Sequence, residues 1–477
     1  MNILDESING LRRRTPQMSA YRTFSTGQLR VLVVGVVVIV VALVFQPLPA
    51  LLALNLVVTV IYFSATLYKF HLAWRSLLQP ALIQVSDAEA RAIPDSELPL
   101  YTILVPAYHE APVIAQILAA INSLEYPPTR MEVKILLEED DTETTMAAVQ
   151  ARSGSHVEIV SIPFGMPRTK PKACNYGLLL SQGELVTIFD AEDQPEPLQL
   201  RRAVAAFRRL APSIVCLQCK LSYHNPTQNL ITRWFTIEYG TWFSMLLPTL
   251  AEAGGPVPLG GTSMHIRRSV LTSVGAWDAH NVTEDADLGI RLNRLGYKTA
   301  VLDSTTYEEA NSDFINWVKQ RSRWYKGYLQ TWLVHMRNPL ELWSRLGPRG
   351  FMRFNLLLGA TPVVALLNPL FWLLTVLWFS GKPPFIQTLF PAWLYFPGMF
   401  CMILGNFTVF YLGVITLRLT GYTNLLVAIV CSPIYWVMMS IAAVKAFIQL
   451  VLDPWFWEKT THGLYQPRGS EVAGRSA

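Results

Sequence analysis

Charge is scarce in this chain. Only 15% of its 477 residues are Asp, Glu, Lys or Arg, against 51% hydrophobic, and the mean hydropathy is +0.30. Soluble domains average about one-quarter charged residues, so the chain as a whole is not an ordinary soluble enzyme. Cysteine is scarce too, with only Cys174, Cys216, Cys219, Cys401 and Cys431. They form no disulfide framework. Cys216 and Cys219 have redox or zinc spacing, but there is no second pair, and on a strand positions three apart point to opposite faces. They are read as structural. No glycine-rich stretch ends in Gly-Lys-Ser/Thr, which excludes a Walker phosphate loop. The net charge of +5 is modest and its basic residues sit beside apolar runs. That is the pattern of membrane flanks, and no nucleic-acid partner is expected.

What the chain has in quantity is apolar sequence, in two blocks at roughly 31–70 and 353–452. A polar segment, 1–30, carries Arg12, Arg13, Arg14, Arg22 and Arg30. Val31–Phe45 and Leu51–Tyr68 are near-continuous apolar runs joined at Gln46-Pro47-Leu48-Pro49, which reads as two spanning helices over 31–70. Arginines before them, and Lys69 and Arg75 after them, put both flanks in the cytoplasm. Residues 71–345 read as one cytoplasmic domain with interface helices. About three further spans occupy 346–452, and 453–477 is a tail. An odd number of spans places that tail outside, whereas Lys459, Arg468 and Arg475 favour the inside.

Between the blocks the periodicity alternates. Leu100–Pro106, Val133–Leu137, Val157–Val160, Glu184–Phe189 and Ile214–Leu221 read as strands. Ala111–Ser123, Thr142–Ala151, Lys172–Leu180 and Ala286–Leu295 read as helices. This predicts a parallel sheet with helices on both faces, whose ligands bind beyond the carboxyl ends of the strands. Two acidic stretches fall on that edge, Glu138-Glu139-Asp140-Asp141 and Asp190-Ala191-Glu192-Asp193. Asp190, with Glu192 or Asp193, suits a divalent cation that also takes phosphate oxygens. Lys172 opens a helix, where a phosphate is favoured. Gly254–Ser263 is a glycine-rich loop, and Thr283-Glu284-Asp285 stands at a helix start. Trp317–Arg337 mixes arginine with aromatics, as an interface helix does.

Four of these pieces occur in a fixed order: Asp140, Asp190-Ala191-Glu192, Thr283-Glu284-Asp285 and Gln320-Arg321-Ser322-Arg323-Trp324. The set resembles the membrane-embedded family-2 glycosyltransferases, and most of all the cellulose-synthase-like bacterial exopolysaccharide synthases, over about residues 50–465. The resemblance implies an α/β nucleotide-sugar-binding domain of GT-A type between transmembrane helices in the bacterial inner membrane. It implies inverting transfer from a nucleotide sugar, UDP-glucose being the expectation, to a growing β-linked polysaccharide that is exported, with periplasmic or regulatory export partners. The alternative is a single transfer to a membrane lipid. It further implies Mg²⁺ or Mn²⁺ at Asp190 with Glu192 or Asp193. Asp285 is the implied base, Glu110, Asp140, Lys172, Asp190 and Arg323 the donor contacts, and Trp324 and Gln320 the acceptor contacts. The first motif reads Glu139-Asp140-Asp141, so either aspartate fits it. Export would require a channel, for which Asn368, Asn406, Thr408, Tyr411 and Tyr435 are available.

Overall fold

The computed structural model describes residues 2–78, 81–461, 463 and 465. The centre of the chain is an eight-stranded sheet of β1 (Tyr101–Ala107), β2 (Met131–Glu138), β3 (Val157–Ile162), β4 (Leu185–Ile188), β5 (Gln194–Pro195), β6 (Ile214–Tyr223), β7 (Met264–Arg267) and β8 (Lys298–Glu308). Their order is β3-β2-β1-β4-β7-β6-β8-β5. The sheet is buried on both faces. Ile103 and Val105 of β1 join one core with Ile117, Ile135 and Phe207, while Leu104 joins another with Leu136, Val186 and Leu288. Such double burial explains why these strands read as apolar runs rather than alternating patterns.

The expected parallel sheet is corrected at two places, since β5 pairs antiparallel with β8 and β7 is reversed as well. β1, β2, β3 and β4 are mutually parallel, but β7 enters antiparallel between β4 and β6. β7 has only four residues and directly follows the glycine-rich loop. Its pairing is set by long-range contacts, not by local pattern. The architecture is GT-A-like, a mixed sheet with flanking helices.

The helices that matter below are α1 (Ile3–Arg14), α2 (Thr26–Phe45), α3 (Pro47–Leu78), α4 (Lys170–Leu179), α5 (Leu230–Thr241), α6 (Glu284–Arg294), α7 (Phe314–His335), α8 (Thr361–Gly381), α9 (Ala392–Thr420) and α10 (Ser432–Leu452). Among the described residues, five helical stretches are long and apolar enough to cross a membrane: α2, α3, Pro339–Gly381 (which contains α8), α9 and α10. α2 buries none of its residues within the protein.

α10 differs from the others in how its ends are held. Near its start, Tyr435 donates to Glu238 of α5 at 2.5 Å. Just before it, the Ala428 carbonyl accepts from Trp234 Nε1 at 2.7 Å. Past its other end, Lys326 of α7 donates to the Phe456 carbonyl at 2.8 Å. Tyr435, Met438, Ala442 and Ala446 pack against α5 and α7 in one core, while Ile434, Val437, Ile441, Val444 and Ile448 form an exposed apolar stripe. Both ends of α10 therefore rest on the α/β domain.

The segment before α2 and the segment just after α10 also meet on this domain. α1 lies on α4, and Asn175 donates to the Ser7 carbonyl at 2.9 Å. Asp278 accepts from the Ser19 hydroxyl at 3.1 Å and from the Ala20 amide. Tyr21 stacks on Trp455, whose Nε1 donates to the Ala20 carbonyl at 3.1 Å.

Candidate active site

Four elements converge at the carboxyl edge of the sheet. Asp190 follows β4 and is 39% exposed, and Lys170 at the first turn of α4 forms an ion pair with its Oδ1. Lys170 also donates to the Gly261 carbonyl at 2.9 Å. Gly261 has φ +87°, a left-handed conformation that favours glycine. A Cβ there would lie 3.1 Å from Asp285 Oδ2 and 3.9 Å from Lys170 Nζ. Lys170 and Asp285 therefore crowd one backbone position, and Lys170 links that position to Asp190. α7 comes equally close on the other side of the Thr283-Glu284-Asp285 turn, because a Cβ on Gly327 would fall 2.4 Å from Thr283.

The electrostatics are those of crowded carboxylates with few counter-charges. Burial, then the neighbouring Asp285, pushes Glu284 up to about 8. Burial raises Asp285 too, against Lys170 and Arg323. Burial alone would lower Lys170, but Asp190 and Glu284 outweigh it and hold the ammonium above its usual range. Arg323 is lowered by burial although Glu284, Asp285 and Asp190 oppose this. Asp193 is fully buried, and burial followed by the Asp190 charge pushes it up to about 8. Its Oδ2 accepts from the Asp190 amide at 2.7 Å and from the Thr262 hydroxyl, tying the acidic loop to the glycine-rich loop. Its Oδ1 is buried with no hydrogen-bond partner among the described residues. Glu192 is buried beside it.

The first acidic stretch separates into two jobs. Asp141 is buried, caps the helix Thr142–Ala151 by accepting from Thr144 at 3.1 Å, and accepts from the His109 amide at 2.5 Å. Asp140 is 44% exposed and pairs with Arg168 at 2.8 Å, so it is the aspartate available to a ligand. Glu110 lies beside them, 3.3 Å from Lys459, and burial pushes its carboxyl up to about 7. Lys172 does not pair with Asp190. It is fully buried, 2.8 Å from Glu138, and donates to the Gly165 carbonyl at 3.1 Å. The lysine beside Asp190 is Lys170. Two residues along a helix turn the side chain by about 200°, so one of this pair faces the site and the other the core.

α7 closes the far side. Arg321 is buried in a two-pronged pair with Glu238, at 2.8 and 2.6 Å, and stands 4.5 Å over the Trp324 ring. Trp324 is half-buried and stacks with Phe235 and Tyr239 at 6.0 and 6.2 Å. Gln320 accepts from Asn311 at 3.0 Å. Arg323 lies 4.6 Å from the ring of Trp457, which belongs to the segment after α10. In the same segment Lys459 donates to the His109 carbonyl at 2.7 Å and to that of Tyr108. Glu309 accepts from the amides of Gly463 and Tyr465, both at 2.8 Å.

The tail is thus part of the site, which the sequence reading did not include. Its signal was the cluster Trp455-Phe456-Trp457-Glu458-Lys459 directly after the last apolar run. Lys170, Arg168 and Glu308 were also passed over. Glu308 ends β8 near Asp193, and burial followed by the Asp193 and Asp190 charges holds its carboxyl well above the ordinary range.

Residues 99–327 match the family model described as glycosyltransferase like family 2. The chain is 29% identical over 244 residues to the probable glycosyltransferase YdaM of Bacillus subtilis, covering 48% of this chain and 56% of that one. It is 29% identical over 325 residues to the beta-monoglucosyldiacylglycerol synthase of Synechocystis, covering 62% of this chain and 66% of the relative. Under two-thirds of each of these relatives is therefore matched. Among solved structures, the mannosyltransferase PcManGT of Pyrobaculum calidifontis, in complex with GDP-Man and Mn²⁺, is similar in fold. Its TM-score is 0.55 at 19% identity, with 84% of this chain and 99% of that one covered.

Proposed function

We propose that this chain, an enzyme with a glycosyltransferase-like family 2 domain over residues 99–327, transfers a sugar from a nucleotide-sugar donor to a hydroxyl of a membrane-held acceptor with inversion. The observation that carries the reading is the meeting of Lys170 and Asp285 at Gly261, with Lys170 also paired to Asp190. Inversion needs a base on one face of the sugar and charge stabilisation of the leaving diphosphate on the other. Asp285 takes the proton of the attacking hydroxyl, and burial has raised its basicity. The bond from the anomeric carbon to the diphosphate breaks as the new C–O bond forms on the opposite face. Lys170 and Arg323 stabilise the negative charge that develops on the diphosphate. Asp140, Glu110 and Arg168 lie where the nucleoside end would sit.

A divalent cation fits the residues present. Asp190 is partly exposed, and Asp193 keeps one buried oxygen without a partner beside it. Among the described residues no group of three or more His, Cys, Asp or Glu side chains could hold a metal ion by itself. That suits Mg²⁺ or Mn²⁺, which is commonly held by one or two carboxylates with substrate phosphates completing the shell. When bound, the ion supplies further neutralisation of the diphosphate.

Of the two acceptor classes we favour a lipid. The residues expected to line an export channel are scattered. Tyr435 is engaged with Glu238, Asn368 accepts from Tyr62 at 2.8 Å, and Thr408 donates back to its own helix. Tyr411 stacks on Phe407, and both rings are exposed on the outer surface of α9. The likeness to a beta-monoglucosyldiacylglycerol synthase supports the same choice. The second reading, polymer extension, is favoured by Trp324 within Gln-x-x-Arg-Trp. Membranes offered a panel of radiolabelled nucleotide sugars decide between them. A single lipid-soluble product supports the lipid, and a long water-soluble polymer supports the second reading.

Trp324→Ala should weaken acceptor use several-fold while hydrolysis of the donor by water persists, because water needs no stacking face. Donor hydrolysis and transfer, measured side by side in protein of unchanged detergent stability, check this. Loss of both together would make Trp324 a packing residue.

We also propose four crossings, by α2, α3, Pro339–Gly381 and α9, with α10 along the inner surface. A 21-residue helix is about 31 Å long, and it cannot cross with both ends on one domain. This reading has two later spans where about three are expected, and with it the segments before α2 and after α10 share the cytoplasmic side, in agreement with their arginines and lysines. Cysteines introduced near Arg13 and near Glu458 should resist an impermeant thiol reagent in intact cells, while one at Lys382 should react. Labelling near Glu458 would restore α10 as a crossing.

A further inference from the structure

We infer that Glu308 binds hydroxyls of the sugar being transferred, and so helps decide which nucleotide sugar is accepted. The inference deepens the transferase reading above and rests on it.

The position of Glu308 follows from its neighbours on both sides. β5 and β8 run antiparallel with Gln194 opposite Tyr307 and Pro195 opposite Thr306. One step further in that register sets Glu308 opposite Asp193, whose carboxylate is tied to Asp190 and the glycine-rich loop. On the other side β6 pairs in parallel with β8, and Tyr223 is the partner of Glu308. Tyr223 lies 4.5 Å from Tyr239, and Tyr239 stacks on Trp324. Glu308 therefore stands between the acidic loop and an aromatic wall. Sugars are recognised by that combination, in which apolar ring faces meet aromatic rings and hydroxyls meet a fixed carboxyl group.

The two adjacent glutamates have diverged in use. Glu309 is taken up by the amides of Gly463 and Tyr465. Glu308 is half-buried, its backbone carbonyl is fixed by the His224 amide at 3.0 Å, and its carboxyl enters no side-chain hydrogen bond among the described residues. A carboxyl held at the end of a strand, beside the loop proposed to bind the diphosphate, is placed for the ring one bond beyond that diphosphate. Neutral contacts cannot substitute for it well, because a site built around a hydroxyl leaves its own polar group unpaired when the hydroxyl is missing or misplaced.

The test compares sugar-bearing and bare nucleotides on the purified full chain in detergent with Mn²⁺. UDP-glucose, UDP-galactose, UDP-N-acetylglucosamine and GDP-mannose are each titrated against UDP or GDP. The sugar nucleotide that the wild type holds more tightly than its bare diphosphate is the reporting pair. Glu308→Gln should weaken that sugar nucleotide roughly 10- to 100-fold and leave the bare diphosphate within about twofold. Glu308→Asp, which keeps the carboxyl but withdraws it by one methylene, should lose most of the same preference. Equal weakening of both ligands would assign Glu308 to the diphosphate or metal and overturn the inference. So would an unchanged preference, a defect confined to acceptor use, or failure of both variants to fold. If the wild type binds none of the nucleotides, the transferase reading itself fails. If it binds them and the variants match it, only this inference fails.

Discussion

Asp285→Asn should lower kcat about 10²–10⁴-fold, the usual range for loss of a general base, while donor affinity stays near that of the wild type. The substitution keeps the shape of the side chain and removes its ability to take a proton. Its surroundings make the result interpretable. The carboxyl sits against Gly261 and shares the field of Lys170 and Arg323, so an amide of equal size leaves that packing intact. Thr283 and Glu284 are buried and Gly327 packs directly on Thr283, which holds the turn whatever occupies position 285. Steady-state kinetics with a separate donor-binding titration check the expectation. A variant that loses donor binding with no defect in the chemical step would return Asp285 to the role of a helix-capping acid at the start of α6.

Asp190→Asn should abolish transfer and the response to added Mn²⁺ or Mg²⁺ together. Asp190 is the partly exposed carboxylate beside the orphaned oxygen of Asp193, and it is also the partner of Lys170. Removing its charge takes away the proposed metal ligand and leaves Lys170 without its ion-pair partner. Wild-type protein in excess chelator should lose activity in parallel and regain it on adding either metal. Full activity of Asp190→Asn, or of the chelated wild type, would remove the metal from the reading. Retained binding of the nucleotide to the variant in the absence of metal would show that the fold survived.

Much of this arrangement is legible in the sequence because it depends on local pattern. β1, β2 and β3 were read within a few residues of their ends, since each is a short apolar run bounded by turn residues. The acidic stretches and the Thr283-Glu284-Asp285 turn were placed at element ends, where they do occur. What escaped depends on contacts far apart in the chain. The helix Gln199–Arg209 and strands β7 and β8 were unassigned, although the helix has a strong apolar face with arginines opposite. Lys172 was preferred to Lys170 because spacing gives the face of a helix only once its register against the sheet is known. The antiparallel entry of β7 and the return of the tail to Tyr108 and His109 arise from pairings that nothing in their own residues announces.

The meeting of Tyr21 with Trp455 has a consequence for how the protein is made. Translation delivers the residues of the sheet and its acidic loops long before Trp455, Trp457 and Lys459 emerge. Until then Arg323 lacks its aromatic neighbour, Glu110 lacks its lysine, and the arm around Ala20 and Tyr21 has nothing to hold at that position. A nascent or prematurely ended chain therefore carries every carboxylate of the site but an open edge where the tail belongs. The aromatic and basic edge of the site is thus completed only when residues 455–459 reach acidic loops made far earlier, so the order of synthesis separates its two halves.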